Sequence, residues 1–139
     1  MELLDGANWV RAKLLADSAL VALVGQQVFL DVIPHGATLP AVRIHVQSPG
    51  VDMIVINGIR IWANPLFLVT GVCVGAPDQL AAIENRIDAV LHRATGVTAT
   101  IRVVACLREM PYQMSESDIG DGKIYRHSGG LYRIKIQQL

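Results

Sequence analysis

Apolar and polar positions change their period several times along the chain. Over residues 5–25 the spacing is helical, with Val10, Leu14 and Leu15 near one face. Asp5 offers a short side-chain oxygen to cap the start. Asp17-Ser18 interrupts the run and supplies a second N-cap. A short helix over 19–24 then ends at Gly25, which tolerates a left-handed C′ backbone. A single kinked helix is the alternative. Residues 28–33 are rich in β-formers and stop at Pro34, His35 and Gly36. Pro40 opens the next strand, where Val42, Ile44 and Val46 alternate with Arg43, His45 and Gln47. Ser48-Pro49-Gly50 is a turn. Residues 53–56 and 59–62 flank Asn57-Gly58, a pair that favours a type I′ hairpin turn. Asn64-Pro65 marks an edge, a bulge or a short loop. Residues 66–74 read as a strand covered on both faces.

Pro77-Asp78 starts the next helix, with Asp78 as its N-cap. Leu80, Ile83, Ile87, Val90, Leu91 and Ala94 form one apolar stripe. Glu84, Arg86, Asp88 and Arg93 lie outside the stripe, and Gly96 ends the helix. Over 99–107 the pattern is β again, with Ile101, Val103, Ala105 and Leu107 on one face. Residues 109–130 are then polar, with Gly120, Gly122, Gly129 and Gly130 among them. Tyr132, Ile134 and Ile136 close the chain as an alternating strand. The polar excursion therefore leaves one strand and returns on another, as an extended hairpin arm or a large loop. Its composition buries little apolar area, so it is expected to be mobile until a partner orders it. The element order reads α-β-β-β-β-α-β-β. Hairpin signals favour antiparallel pairing, and both apolar helix stripes need a sheet to cover. The expected fold is a two-layer α+β domain: a mainly antiparallel sheet covered by two main helices, with the long loop or arm before the last strand.

Composition sharpens this reading. A chain of 139 residues is one domain by length, here 1–139, and long enough for a substantial core. Apolar residues make up 52% and charged residues 17%, which excludes a disordered chain. Twelve basic residues balance twelve acidic ones, so no electrostatic footprint for sequence-specific nucleic-acid binding is present. The greasiest run, 66–74, is too short for a membrane helix and contains Thr70 and Gly71. The first residues are acidic rather than basic, with no secretory pattern. Mean hydropathy is nevertheless +0.39. Either the chain is a greasy monomer, or part of its surface is buried against other subunits; the second reading is favoured.

Candidate chemistry is sparse. Cys73 and Cys106 sit in apolar strand-like runs and read as buried reduced thiols. No P-loop, nucleophile elbow or zinc-binding His-Glu-x-x-His spacing occurs. Gly120-Asp121-Gly122 starts like a dinucleotide fingerprint but lacks its third glycine and its helix. Residues 117–122 fail as a calcium loop, because Ile119 stands where an oxygen ligand is needed. His35, His45, His92 and His127 are scattered and make no metal set. His127 beside Ser128 and nearby acids has no fixed geometry for catalysis. No catalytic residue, cofactor or metal is therefore assigned. Glu116, Asp118 and Asp121 read as a solvated acidic face, or as a docking surface for a basic protein. Trp9 and Trp62 read as core or interface packing, and Tyr132 as core. Tyr112 and Tyr125 stand in polar surroundings and are interface candidates. The candidate partner-binding residues are Glu109, Tyr112, Glu116, Asp118, Asp121, Lys123, Tyr125 and Arg126.

The order of features resembles the tail completion, or tail terminator, proteins of long-tailed bacteriophages. The resemblance rests on the run from Leu14 to Gly25, on Val28-Phe29, Pro34 and Leu39-Pro40-Ala41-Val42, on the late amphipathic helix from Leu80 to Leu91, and on Ser128-Gly129-Gly130-Leu131-Tyr132-Arg133-Ile134. It implies an α+β subunit of a virion ring, typically a hexamer, at the head-proximal end of the tail tube. Such a ring stops tube polymerisation and presents a surface to the head connector or stopper. Its partners are further copies of itself, the tube protein and the connector. Its place is the virion neck, after assembly in the host cytoplasm, and it performs no catalysis. Alternatives are another neck connector or stopper, an assembly protein of a contractile injection system, and a small ligand-binding or enzymatic α+β domain, which needs a pocket with convergent polar groups.

Overall fold

A computed structural model describes residues 2–75, 78–117 and 120–139. The described elements run α1 (Glu2–Leu15), α2 (Ser18–Val24), β1 (Val28–Leu30), β2 (Ala41–Ser48), β3 (Met53–Ile54), β4 (Arg60–Trp62), β5 (Leu66–Val74), α3 (Asp78–Leu91), β6 (Gly96–Val97), β7 (Ile101–Ser117) and β8 (Ile124–Gln138). Five strands thus precede α3, one for each of the five strand-like runs read in the sequence, which the element order counted as four. Six strands form one sheet in the order β1-β2-β5-β8-β7-β6, and β3 pairs with β4 in a separate two-stranded flap. The expected α+β fold is what forms.

The break after α1 is where the sequence places it. Asp17 has extended backbone, and its carboxylate accepts from the Leu20 N–H at 3.0 Å, so α2 is a separate helix. Gly25 ends α2 at φ +63. Two expected caps fall elsewhere. α1 already runs from Glu2, so Asp5 lies inside its first turn, favourably placed for the helix dipole rather than as a cap. Asp78 is likewise in the first turn of α3, and residues 76–77 before it are outside the described residues. Gly96 does not end α3. Arg93 turns the chain at φ +70, its N–H donating to the Cys106 carbonyl, and Gly96 belongs to β6.

The helices cover one face of the sheet. Val10, Leu14, Leu20, Ile83, Ile87 and Leu91 share a core with Val42, Ile44, Phe67, Val69, Cys106, Tyr132, Ile134 and Ile136. This is the burial that stabilises both layers. α3 approaches closely at Gly71, where an added Cβ would lie 2.6 Å from Ile83 Cγ2. β5 is buried on both faces, as its unbroken apolar run requires.

Three pairing details depart from the sequence reading. β1 lies parallel to β2, with Val28 opposite Val42, although hairpin signals pointed to antiparallel neighbours. The flap turn is not type I′. Val55 N–H donates to Ile59 O and Gly58 N–H to Val55 O, and Gly58 takes φ +84 while Asn57 does not take positive φ. This is a three-residue loop with one left-handed glycine. A bulge between Val103 and Ala105 shifts the alternation of β7, so Cys106 points into the core and Leu107 is exposed. Of the two forms expected for residues 109–130, the described residues take the hairpin arm. β7 and β8 stay paired from Ile101–Gln138 to Ser117–Ile124, with a second bulge between Arg108 and Met110. β8 is central, paired on its other side to β5 from Arg133 to Tyr125. The strand ladder satisfies the backbone of this segment without apolar side chains.

Candidate interaction surface

β8 presents successive side chains to opposite faces, and this divides the candidate residues. On the helix face, Ser128 Oγ donates to Glu84 of α3 at 2.6 Å, and the Tyr132 hydroxyl donates to Asp88 at 3.1 Å. Arg108 of β7 lies 3.9 Å from Glu84 and 3.6 Å from Asp88. Burial and the Asp88 carboxylate push the Tyr132 phenol up, so it stays a protonated donor. Sequence reading placed Glu84 and Asp88 only outside the apolar stripe. Their four-residue spacing along one helix edge was the available signal for this network. Burial also pushes the Cys106 thiol up to about 12 and raises Cys73, so both free cysteines remain protonated.

On the opposite face His127 is buried, and its Nε2 lies 2.8 Å from Glu116 Oε1. His127 and Ser128 therefore point to opposite sides of the sheet, and no serine–histidine pair forms. Glu109 accepts from Arg133 Nε at 2.7 Å, and Arg133 also donates to the Asn64 carbonyl. The Tyr112 hydroxyl lies 3.4 Å from the Met114 sulfur. Asp121 accepts from the Lys123 N–H and from the Tyr125 hydroxyl, each at 2.8 Å. These bonds, the backbone one foremost, hold its carboxyl below the usual range and brace the turn into β8. Arg126 donates to the Gly75 carbonyl. Asp118 lies outside the described residues.

Four of the candidate residues converge. Glu116, Asp121, Lys123 and Tyr125 line a cleft of about 800 Å³ between the arm and the segment 31–39. Val72 and Val74 of β5 floor it, Met114 stands on the arm side, and Val32, Ile33, Pro34 and Leu39 stand on the other. Arg43 donates to the Asp31 carbonyl, and His45 Nδ1 lies 2.9 Å from the Asp31 carboxylate. Glu109, Tyr112 and Arg126 are not lining residues. The apolar pair Val32-Ile33, whose pattern looked like strand, supplies the outer wall. Several of the polar groups are thus engaged with one another. Among the described residues no cluster of three or more metal-ligating side chains occurs, and no helix is long and apolar enough to cross a membrane.

The apolar surplus is on the surface. Val51, Met53, Ile54, Val55, Ile56 and Ile59 are all exposed on the flap and its approach, Ile56 completely so. Leu107, Met110, Met114, Ile124 and Val74 form a second exposed set along β7, the start of β8 and the end of β5. Apolar side chains exposed in sets of this kind are what association with a partner would bury. Trp62 sits at the flap base, its indole N–H on the Met53 sulfur and Lys135 over its ring at 5.5 Å. Trp9 is core, against Gly96.

No family model matches the sequence, and no curated protein sequence matches it. Among solved structures, the fold is similar to a chain of the structure described as "Virion of native gene transfer agent (GTA) particle". The TM-score is 0.66 at 19% identity, covering 92% of this chain and 91% of that one. The likeness is one of fold.

Proposed function

We propose that the chain is a structural subunit of a phage-type virion. It forms a ring at the head-proximal end of the tail tube, stops tube polymerisation and joins the tail to the head connector. The observation that carries this reading is the fold likeness, over nine-tenths of both chains, to a protein of a virion particle. The exposed apolar sets and the tail-terminator-like order of elements support it. The ring is homo-oligomeric, with six subunits, and the work it does is binding rather than turnover. Glu109, Tyr112, Glu116, Asp121, Lys123, Tyr125 and Arg126 belong to the surface offered to the tube and to neighbouring subunits, with Asp121 and Arg126 bracing it; Asp118 is included on its sequence alone. Assembly takes place in the host cytoplasm and the product is part of the virion neck.

Electron microscopy of particles made without the chain tests this. The expected result is overlong tails that fail to join heads, and loss of a ring of density at the head-proximal end. Tails of normal length joined to full heads overturn the proposal. Density for this chain elsewhere in the neck moves the role to a connector or stopper.

A further inference from the structure

The flap and the cleft lie at opposite ends of the same sheet. The flap base is tied to the C-terminal end of β8, through the bridge between Ala63 and Ile136 and a 3.4 Å contact from Arg60 to Gln138. The cleft lies at the other end of β8, at Tyr125 and His127. Eleven residues of extended chain from Tyr125 to Ile136 separate them by roughly 35 Å. The flap of one subunit therefore cannot fill its own cleft. A two-stranded hairpin is also marginal in water without a packing partner. Yet this one carries Ile54, Val55, Ile56 and Ile59 exposed, and residues 54–59 hold no charged side chain. The cleft is floored and walled by apolar side chains that are themselves partly exposed: Val32 at 66%, Val74 at 40%.

We infer that the flap tip of one subunit seats in the cleft of the next copy of this chain. Protrusion and recess are then two different surfaces of one molecule, which makes the contact head-to-tail. A heterologous contact of this kind propagates until the rotation closes a ring. An uncharged tip also suits a cleft in which Arg43, Glu116 and Asp121 already hydrogen-bond within the chain, since seating it adds no charge of its own to that recess. The inference rests on the ring reading for its closure and names the surfaces that make the ring.

Thiol crosslinking decides it, because Cys73 and Cys106 are buried and protonated. Ile56→Cys and Val32→Cys variants are treated with a short bis-maleimide at high protein concentration. Each position is exposed, so the fold tolerates the change. The expected result is crosslinked dimer in the mixture of the two variants and none with either alone. The double variant should give a ladder that stops at one closed size, and Ile56→Asp should remove the oligomer seen by light scattering. No dimer in the mixture, or a dimer from Ile56→Cys alone, overturns the inference. A ring seen on tails with no flap–cleft crosslink overturns this interface and leaves the ring reading standing. Crosslinked rings of a chain missing from the tail end do the reverse.

Discussion

Asp17 illustrates how much one side chain can organise. Its carboxylate caps α2 through the Leu20 N–H and receives two donors from Arg86 of α3, at 2.8 and 3.1 Å. The Arg86 contact, foremost, holds the Asp17 carboxyl below its usual range. Replacing it with Ala should lower stability by about 1 kcal/mol from the cap alone. The pH sign follows. A depressed folded pKa means the unfolded chain binds more protons near that range, so the contribution is present above about pH 3.9. It is lost as pH falls through the lower folded value. Urea unfolding at pH 6 and pH 3 should show the gap between wild type and Asp17→Ala narrowing at acid pH. Gly129 is the second such residue. A Cβ there would lie 2.0 Å from the Val69 carbonyl oxygen and 2.7 Å from Thr70 Cα, both backbone atoms that cannot swing away. Gly129→Ala should destabilise by about 2 kcal/mol or more, read as a lowered thermal midpoint.

At the scale of elements, neighbours set protection from exchange. β8 is paired on both sides, and Tyr132, Ile134 and Ile136 are fully buried. Their amides should exchange only through global unfolding. Residues 112–117 of β7 have β8 on one side, and among the described residues β6 reaches only Arg102 and Val103 on the other. Those amides should exchange sooner by local opening. The flap should exchange fastest in the free subunit and become protected on assembly, since its two short strands bury little by themselves. Hydrogen exchange on free and assembled forms checks all three. Flap amides as slow as those of β8 in the free subunit would contradict it.

For the whole molecule, a net charge of zero and exposed apolar sets predict assembly by burial rather than by ion pairs. Salt screens exposed charge pairs over about 8–10 Å but leaves apolar burial in place. The mass of the assembled form should therefore persist from low salt to about 1 M, where the Debye length is only about 3 Å. Sedimentation across that range measures it, and dissociation at high salt would point to a charged interface instead. The two-layer body keeps one sheet face under helices, while the other face carries the cleft.

What the sequence determined by itself was local. The alternation of Val42, Ile44 and Val46, the stripe from Leu80 to Leu91 and the closing strand at Tyr132, Ile134 and Ile136 each report a period within one element. That period depends only on backbone geometry and on which side meets water. The Asp17 cap was readable for the same reason, because the atoms that bond are three residues apart. The candidate residues of the arm were legible as polar and aromatic, and four of them do meet in the cleft. Tertiary structure decided the rest. It set β1 parallel to β2, and it placed the bulge that turned Cys106 inward and Leu107 outward. It made a polar, glycine-containing stretch into paired strand, and it brought Val32, Val74 and Met114 to one recess. Those outcomes depend on contacts between residues far apart in the chain. Main-chain hydrogen bonds form the ladder whatever the side chains are, so hydropathy carries no record of the partner. A one-residue bulge exchanges the two faces of a strand without changing its composition.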